Sequence, residues 1–410
     1  MDLSYGPLYE TFRREIRAFI EAHAALQPLE FEHSPAVAAW QRLLTENGIV
    51  ARTVPRKYGG YGAPPDILED RIIAEELARA KVLPMVNAQG VGMLVPTLLE
   101  FGTEAQRERW IGPTLRGEII WCQGYSEPEA GSDLASLRTH AEVEGDEFVI
   151  NGHKIWTSSA HFADMMFCLV RTESDRPKHE GISYVLIPMT SPGIEVRPLK
   201  QMTGQSGFNE VFFTDVRVST DQVVGGRGEG WRVANATLKH ERAGLGSAGL
   251  SMARLSRLVE LMREETLDGE PLMANPVFRD RLLAIQGRVL AMRANELRLL
   301  SARINQDDDA ELARLVVKLQ GTELRHELEG LAIDVLGELG TLYESSPLLR
   351  DQGEWQRHFM FYLGLIIGGG TSQIQKNIIA ERGLGLPREP KVMTAPDGGL
   401  LASAPAGGRG

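Results

Sequence analysis

Apolar positions follow two different periods along the chain. Up to about residue 115 they recur at helical spacing: Leu8, Phe12, Ile16, Phe19 and Ile20, then Leu68, Ile72, Ile73 and Leu77. The breakers of Gly59-Gly60-Tyr61-Gly62-Ala63-Pro64-Pro65 predict a loop between these runs. From Glu118 to Gly226 short β-prone runs take over: Phe148 to Ile150, Ile182 to Ile187, Ile194 to Val196, Val211 to Phe213 and Val216 to Val218. Asn151-Gly152 and Pro192-Gly193 predict turns. After Gly230 the helical period returns. One run carries Phe278, Leu282, Ile285, Val289, Met292 and Leu300; the next carries Leu315, Leu319, Leu324, Leu328, Leu331 and Leu336. Runs of that length suit a helix bundle. The pattern predicts an α+β, mainly α chain. Its parts are an N-terminal helical domain over 1–117, a middle antiparallel β-domain over 118–226, a C-terminal helical bundle over 227–386 and a mobile Gly/Pro/Ala-rich tail over 387–410.

Composition narrows the class. A chain of 410 residues exceeds what one core usually serves, and 43% hydrophobic with 24% charged residues is ordinary for a globular protein. A net charge of −11 argues against a nucleic-acid surface, although a local basic pocket could still take an anion. Cys122 and Cys168, the only cysteines, lie in apolar runs and read as buried free thiols, with no metal site. The N-terminus has no signal-peptide layout, and no apolar run reaches the roughly 20 residues that span a bilayer. The expectation is a cytoplasmic protein with no integral membrane segment.

Four stretches carry candidate chemistry. In Gln123-Gly124-Tyr125-Ser126-Glu127-Pro128-Glu129-Ala130-Gly131-Ser132-Asp133, Glu127-Pro128 forces a non-helical turn, and Gly131-Ser132-Asp133 offers backbone N–H groups and a hydroxyl. Read alone, a Gly-Ser-Asp is an ordinary β-domain turn. In Lys154-Ile155-Trp156-Thr157-Ser158, Trp156 is either a core aromatic or a platform for a flat ligand. In His240-Glu241-Arg242, helical spacing puts 234, 238, 241, 242 and 245 on one face. Glu241 there is either a base or half of a salt bridge to Arg242 or Lys239. Gly368-Gly369-Gly370, before Thr371-Ser372-Gln373-Ile374-Gln375, is either a flexible breaker or a site for close backbone approach.

In this order the four stretches resemble the acyl-CoA dehydrogenase family, over about Leu8 to Arg388. The resemblance implies the family's three-part architecture. It also implies an FAD enzyme that places a double bond between the α and β carbons of an acyl-CoA. The family has two base positions. The common one precedes Gly-Thr-Ser, and here it is Gly369. The rarer one, as in isovaleryl-CoA dehydrogenase, precedes an arginine of an inner helix, and here it is Glu241. By resemblance Gln123, Tyr125, Ser126, Gly131, Ser132, Trp156, Thr157, Ser158, Thr371 and Gln373 contact FAD. Ser132, Arg242 and the Gly369 backbone N–H meet the substrate. Two departures stand out. The family's Arg…Phe-Gly…Gln pattern is not recognisable around Leu267 to Gln286. Its Gln-x-Leu-Gly-Gly-x-Gly loop reads Asp334-Val335-Leu336-Gly337-Glu338-Leu339-Gly340, whose acids would repel a pyrophosphate. The implied partners are an acyl-CoA, an electron-transferring flavoprotein and other subunits of a homotetramer or mixed tetramer. The rival expectations are an acyl-CoA oxidase or flavin monooxygenase on the same fold, and a non-catalytic or half-site subunit.

Overall fold

The computed structural model describes residues 5–28, 34–82, 88–306, 310–343, 346–388, 393–394 and 400–401, without the side chains of 242–245. Most of the expected mobile tail, and the Arg242 side chain, lie outside the described residues. The N-terminal part is helical: α1 Pro7–His23, α2 Pro35–Glu46, α3 Ile67–Arg79, α4 Val95–Phe101 and α5 Glu104–Leu115. Each start has a local cause. Pro7 and Pro35 sit in the first turn, Ser34 and Asp66 accept backbone N–H groups as N-caps, and Thr103 with Gln106 closes a capping box.

A seven-stranded sheet follows: β1 Trp121–Gly124, β2 His140–Glu144, β3 Glu147–Ser158, β4 Met165–Arg171, β5 Ile182–Pro188, β6 Ile194–Leu199 and β7 Phe208–Ser219. Its order is β1-β4-β2-β3-β7-β6, with β5 also paired to β4. Most pairs are antiparallel; β4 runs parallel to β1 and β2.

Two expectations change here. Asn151-Gly152 is not a turn but lies inside β3. The runs Val211 to Phe213 and Val216 to Val218 belong to the single strand β7. The cause is one bulge: Ile150 pairs with Val216 and Gly152 with Phe213, so β7 carries an extra residue. Asp215 takes φ +50° there, and Asn151 Oδ1 accepts from the Asp215 N–H at 2.9 Å.

The C-terminal part comprises α6 Gly230–Leu245, α7 Ala248–Glu264, α8 Pro276–Ile304, α9 Glu311–Leu336, α10 Glu354–Ile367 and α11 Ser372–Ile378. Three cores result. One joins the N-terminal helices to one sheet face and to Val233 and Ala234 of α6. A second fills the other sheet face, and a third lies among α7, α8 and α9. Helix α6 therefore lies between helical and β parts, and its inner face is the natural floor for a site.

Candidate functional site

Residues alternate across β1. Trp121 and Tyr125, just beyond its end, belong to the core under α6, while Cys122 faces the other core. Both thiols are free and buried; burial holds Cys122 well above its ordinary value and pushes Cys168 up to about 12, so both are inert. The Tyr125 ring is buried edge-on against Phe167 and Tyr184, at 6.0 and 6.3 Å between centroids. Only its backbone is left for a ligand. Beyond it Ser126 is half-buried, and Gly131 and Ser132 are exposed.

A buried ion pair holds this loop, and motif reading missed it. Lys154 is fully buried and donates to Glu127 Oε1 at 2.8 Å and to the Tyr125 carbonyl at 3.1 Å. Glu127 also accepts from the N–H groups of Arg138 at 2.6 Å and Thr139 at 2.8 Å. Burial raises the Glu127 carboxyl, but Lys154 and these donors override it and hold it below the usual range. The pair ties both ends of the 125–139 loop to β3. The available signal was a lysine two places before the tryptophan, in a strand whose neighbours point inward.

The Ile155 N–H donates to the Ser126 carbonyl at 2.9 Å, so the first two motifs meet. Lys154 pairs with Val211 and Thr157 with Asn209, which leaves one extra residue on β3. At this bulge Trp156 takes φ +59° and stands 59% exposed, its ring edge-on to Phe208 at 6.1 Å. Thr157 is fully buried, and its Oγ1 has no hydrogen-bond partner. Ser158 is half-buried.

On α6 the inward row is Val233, Thr237 and Glu241, spaced by four. Val233 and Thr237 are buried, and Glu241 and Leu238 are half-buried. Thr237 Oγ1 lies 2.9 Å from Thr97 Oγ1. Gln123 Nε2 donates to Glu241 Oε2 at 3.4 Å, which brings the first and third motifs together. The fourth arrives through α9. Gly246 at the end of α6 packs so closely on Val317 and Gly321 that a Cβ at Gly321 would meet the Gly246 Cα at 2.7 Å. One residue away, Lys318 donates to the carbonyls of Gly370 at 2.7 Å and Ile366 at 3.1 Å. The end of α6 and the glycine segment therefore meet the same 317–321 stretch of α9.

Gly369 has φ +65°, a left-handed conformation in which a side chain is strained. Gln375 Nε2 donates to its carbonyl at 3.1 Å, and Ser372 Oγ donates to Glu323 at 2.9 Å. The glycine segment is thus held, not merely flexible. Thr371 caps α11 by accepting from the Ile374 N–H at 3.2 Å, and Gln373 is exposed. In the altered acidic loop Asp334 accepts from Arg281 at 2.7 Å, so its charge is compensated.

Three observations fit a flavin. The exposed indole on a strained bulge offers a face, Thr157 Oγ1 is a buried hydroxyl without a partner, and an ideal Cβ at Gly131 meets nothing within 4 Å. A cavity of about 590 Å³ lies elsewhere, lined by Gln106, Arg109, Trp110, Phe148 and Gln222 at the junction of α5 with the sheet. It shares no residue with the motifs. Among the described residues no His/Cys/Asp/Glu group could hold a metal, and no helix is long and apolar enough to cross a membrane.

Sequence models of the acyl-CoA dehydrogenase N-terminal, middle and C-terminal domains match residues 7–118, 122–216 and 228–384. Acyl-CoA dehydrogenase IpdE1 of Mycobacterium tuberculosis is 40% identical over 395 residues, 93% of this chain and 99% of that protein. The solved Tcur3481-Tcur3483 steroid ACAD aligns with a TM-score of 0.79 at 29% identity, over 95% of this chain and 100% of that one. The ChsE4-ChsE5 complex from Mycobacterium tuberculosis aligns at 0.78 and 31% identity, over 95% and 100%.

Proposed function

Given that this chain belongs to the acyl-CoA dehydrogenase family, we propose that it dehydrogenates an acyl-CoA thioester between Cα and Cβ with Glu241 as the base. The observation that carries this reading is Glu241, inward on α6 against Gln123, on a helix whose end packs on the stretch of α9 that also holds the glycine segment of Gly369, a residue with no side chain to serve as base.

A thioester α-proton is weakly acidic. Its removal needs a carboxylate out of bulk water and donors on the carbonyl oxygen where charge develops. Half-buried Glu241 supplies the carboxylate. The backbone N–H of Gly369, in a segment fixed by Lys318 and Gln375, supplies a donor. FAD, when bound, would supply the two-electron acceptor for the hydride that leaves Cβ. Trp156 would pack on the flavin face away from the substrate, with Ser126, Thr157 and Ser158 at its polar edge. Gln123, Tyr125 through its backbone, Gly131, Ser132, Thr371 and Gln373 complete the proposed FAD contacts, and Ser132 and Arg242 those to the substrate. An electron-transferring flavoprotein is the proposed acceptor of the electrons. The named steroid and two-chain relatives support testing bulky acyl-CoA substrates and an unlike partner chain, in a mixed tetramer or a homotetramer.

The test is anaerobic bleaching of the FAD-loaded protein by a panel of straight-chain, branched and steroid acyl-CoA thioesters. Glu241→Gln should keep FAD and acyl-CoA binding and lose flavin reduction by about 10²–10⁴-fold. Reduction at the wild-type rate would remove Glu241 as the base. Hydrogen peroxide formation at the turnover rate under air would favour an oxidase on this fold instead.

A further inference from the structure

The sheet face under α6 is mostly apolar. Trp121 and Tyr125, Phe167 and Leu169 of β4, Tyr184 and Leu186 of β5, and Val233 and Ala234 of α6 share one core. Alternation along β1 puts Gln123 on that same face. A primary amide in such a layer costs free energy unless it is hydrogen-bonded. Its Nε2 donates to Glu241 Oε2 at 3.4 Å, a long hydrogen bond that links β1 to α6 across 118 residues of sequence. The neighbouring Tyr125 hydroxyl is buried without a well-formed partner. Burial, Tyr184 and the Glu241 charge keep its proton on well above the usual range. The surroundings of the carboxylate therefore include an amide donor and an un-ionised phenol.

We infer that Gln123 is a positioning residue for the base: its amide orients the Glu241 carboxylate and favours its ionised form. The inference rests on Glu241 being the base. Other charged and titratable groups lie on the elements packed around this carboxylate. On α6 they are Lys239, His240 and Arg242, the last with its side chain outside the described residues. The sheet contributes Tyr125 and Tyr184, and α4 contributes Glu100, whose charge acts on His240. From α9 come Lys318 and Glu323, engaged with the glycine segment and Ser372, and Arg325, which donates to the Ser247 carbonyl at 3.4 Å. Gln123 donates directly to Glu241, and its neutral amide acts without competing for the proton.

The test is the pH profile of flavin reduction by the best acyl-CoA, for the FAD-loaded wild type, Gln123→Met, Gln123→Glu and Glu241→Gln. Methionine keeps the length and removes the donor. A hydrogen bond to the charged form lowers the pKa of an acid, so its loss raises it. The rise of rate with pH should move upward by about 0.5–1 unit in Gln123→Met, with a rate loss of about 3–10-fold below the rise. Gln123→Glu, which sets carboxylate against carboxylate, should move it further. Should the methionine variant not fold, Gln123→Asn removes the contact by shortening the side chain, and the same shift is expected. A Gln123→Met or Gln123→Asn profile that superposes on wild type, with Glu241→Gln inactive, overturns the role of Gln123 and leaves the base intact. An active Glu241→Gln overturns the base assignment itself.

Discussion

Trp156 holds a backbone conformation that a tryptophan adopts only when its surroundings impose it. Positive φ at a bulky residue costs on the order of 1–3 kcal/mol, here offset by the β3–β7 ladder on both sides of the bulge. The result is an indole displayed to solvent rather than packed, the opposite of the core reading that a lone tryptophan invites. If that face stacks on a flavin, Trp156→Ala should weaken FAD binding by about 1–2 kcal/mol, a rise in Kd of about 5–30-fold. Trp156→Phe should recover part of it. Titration of the deflavinated protein with FAD, followed by absorbance, measures both. An unchanged Kd would show that the indole serves another contact. Ser126, Trp156 and Glu241 were legible at this scale because motif strings name them. Thr237, Tyr184 and Lys318 were not, since each acquires its place only when a distant segment packs on it.

Among the elements, helices were more legible than strands. The runs at Leu8–Ile20 and Phe278–Leu300 repeat one face and emerge as α1 and α8. β4 is buried along nearly its whole length, so it shows no alternation for a period-two reading to find. β1 is four residues long, too short for any period. The bulges in β3 and β7 are pairing events, invisible until two strands are set in register. So is the buried Lys154–Glu127 pair, whose partners lie 27 residues apart. Breaking it should be costly, because the remaining charge would stay buried without compensation. Lys154→Met is expected to lose about 3–5 kcal/mol in denaturant unfolding, and Lys154→Met with Glu127→Gln to regain part of that loss. The sign with pH follows from the depressed Glu127 carboxyl. Its contribution is present above the unfolded-state carboxylate range and is lost as acid protonates the folded state below that range. A Lys154→Met protein as stable as wild type at neutral pH, or one whose acid unfolding is unshifted, would show that the pair does not hold the loop.

At the scale of the molecule, apolar surface stands exposed among the described residues. Leu283, Leu290, Leu297 and Ile304 are spaced by seven on α8, and all are about half exposed. On α10, Phe361, Leu363 and Ile367 are also exposed, Ile367 at 64%. A seven-residue stripe of this kind is the seam of a helix that packs on another helix, and it exceeds the scattered exposure usual for a monomer. Charge bears on the partner. α8 carries six arginines and two acids, with Arg281 and Arg288 neutralised by Asp334 and Glu327 of α9. Arg293 and Arg298 flank the stripe, so two copies of α8 laid face to face would bring like charges together. An unlike chain with acids at those positions avoids this cost. Light scattering of the FAD-loaded chain, alone and co-expressed with an unlike acyl-CoA dehydrogenase chain, should therefore give an oligomer, more stable to salt and dilution in the mixed case. Leu290→Arg with Leu297→Arg removes two apolar contacts, each contributing about 1.5–3 kcal/mol when buried, and adds repulsion. It should yield smaller species that lose FAD if the neighbour helps to hold it. A wild-type monomer that keeps and reduces its FAD would show that the stripe is not an interface and that one chain completes the site.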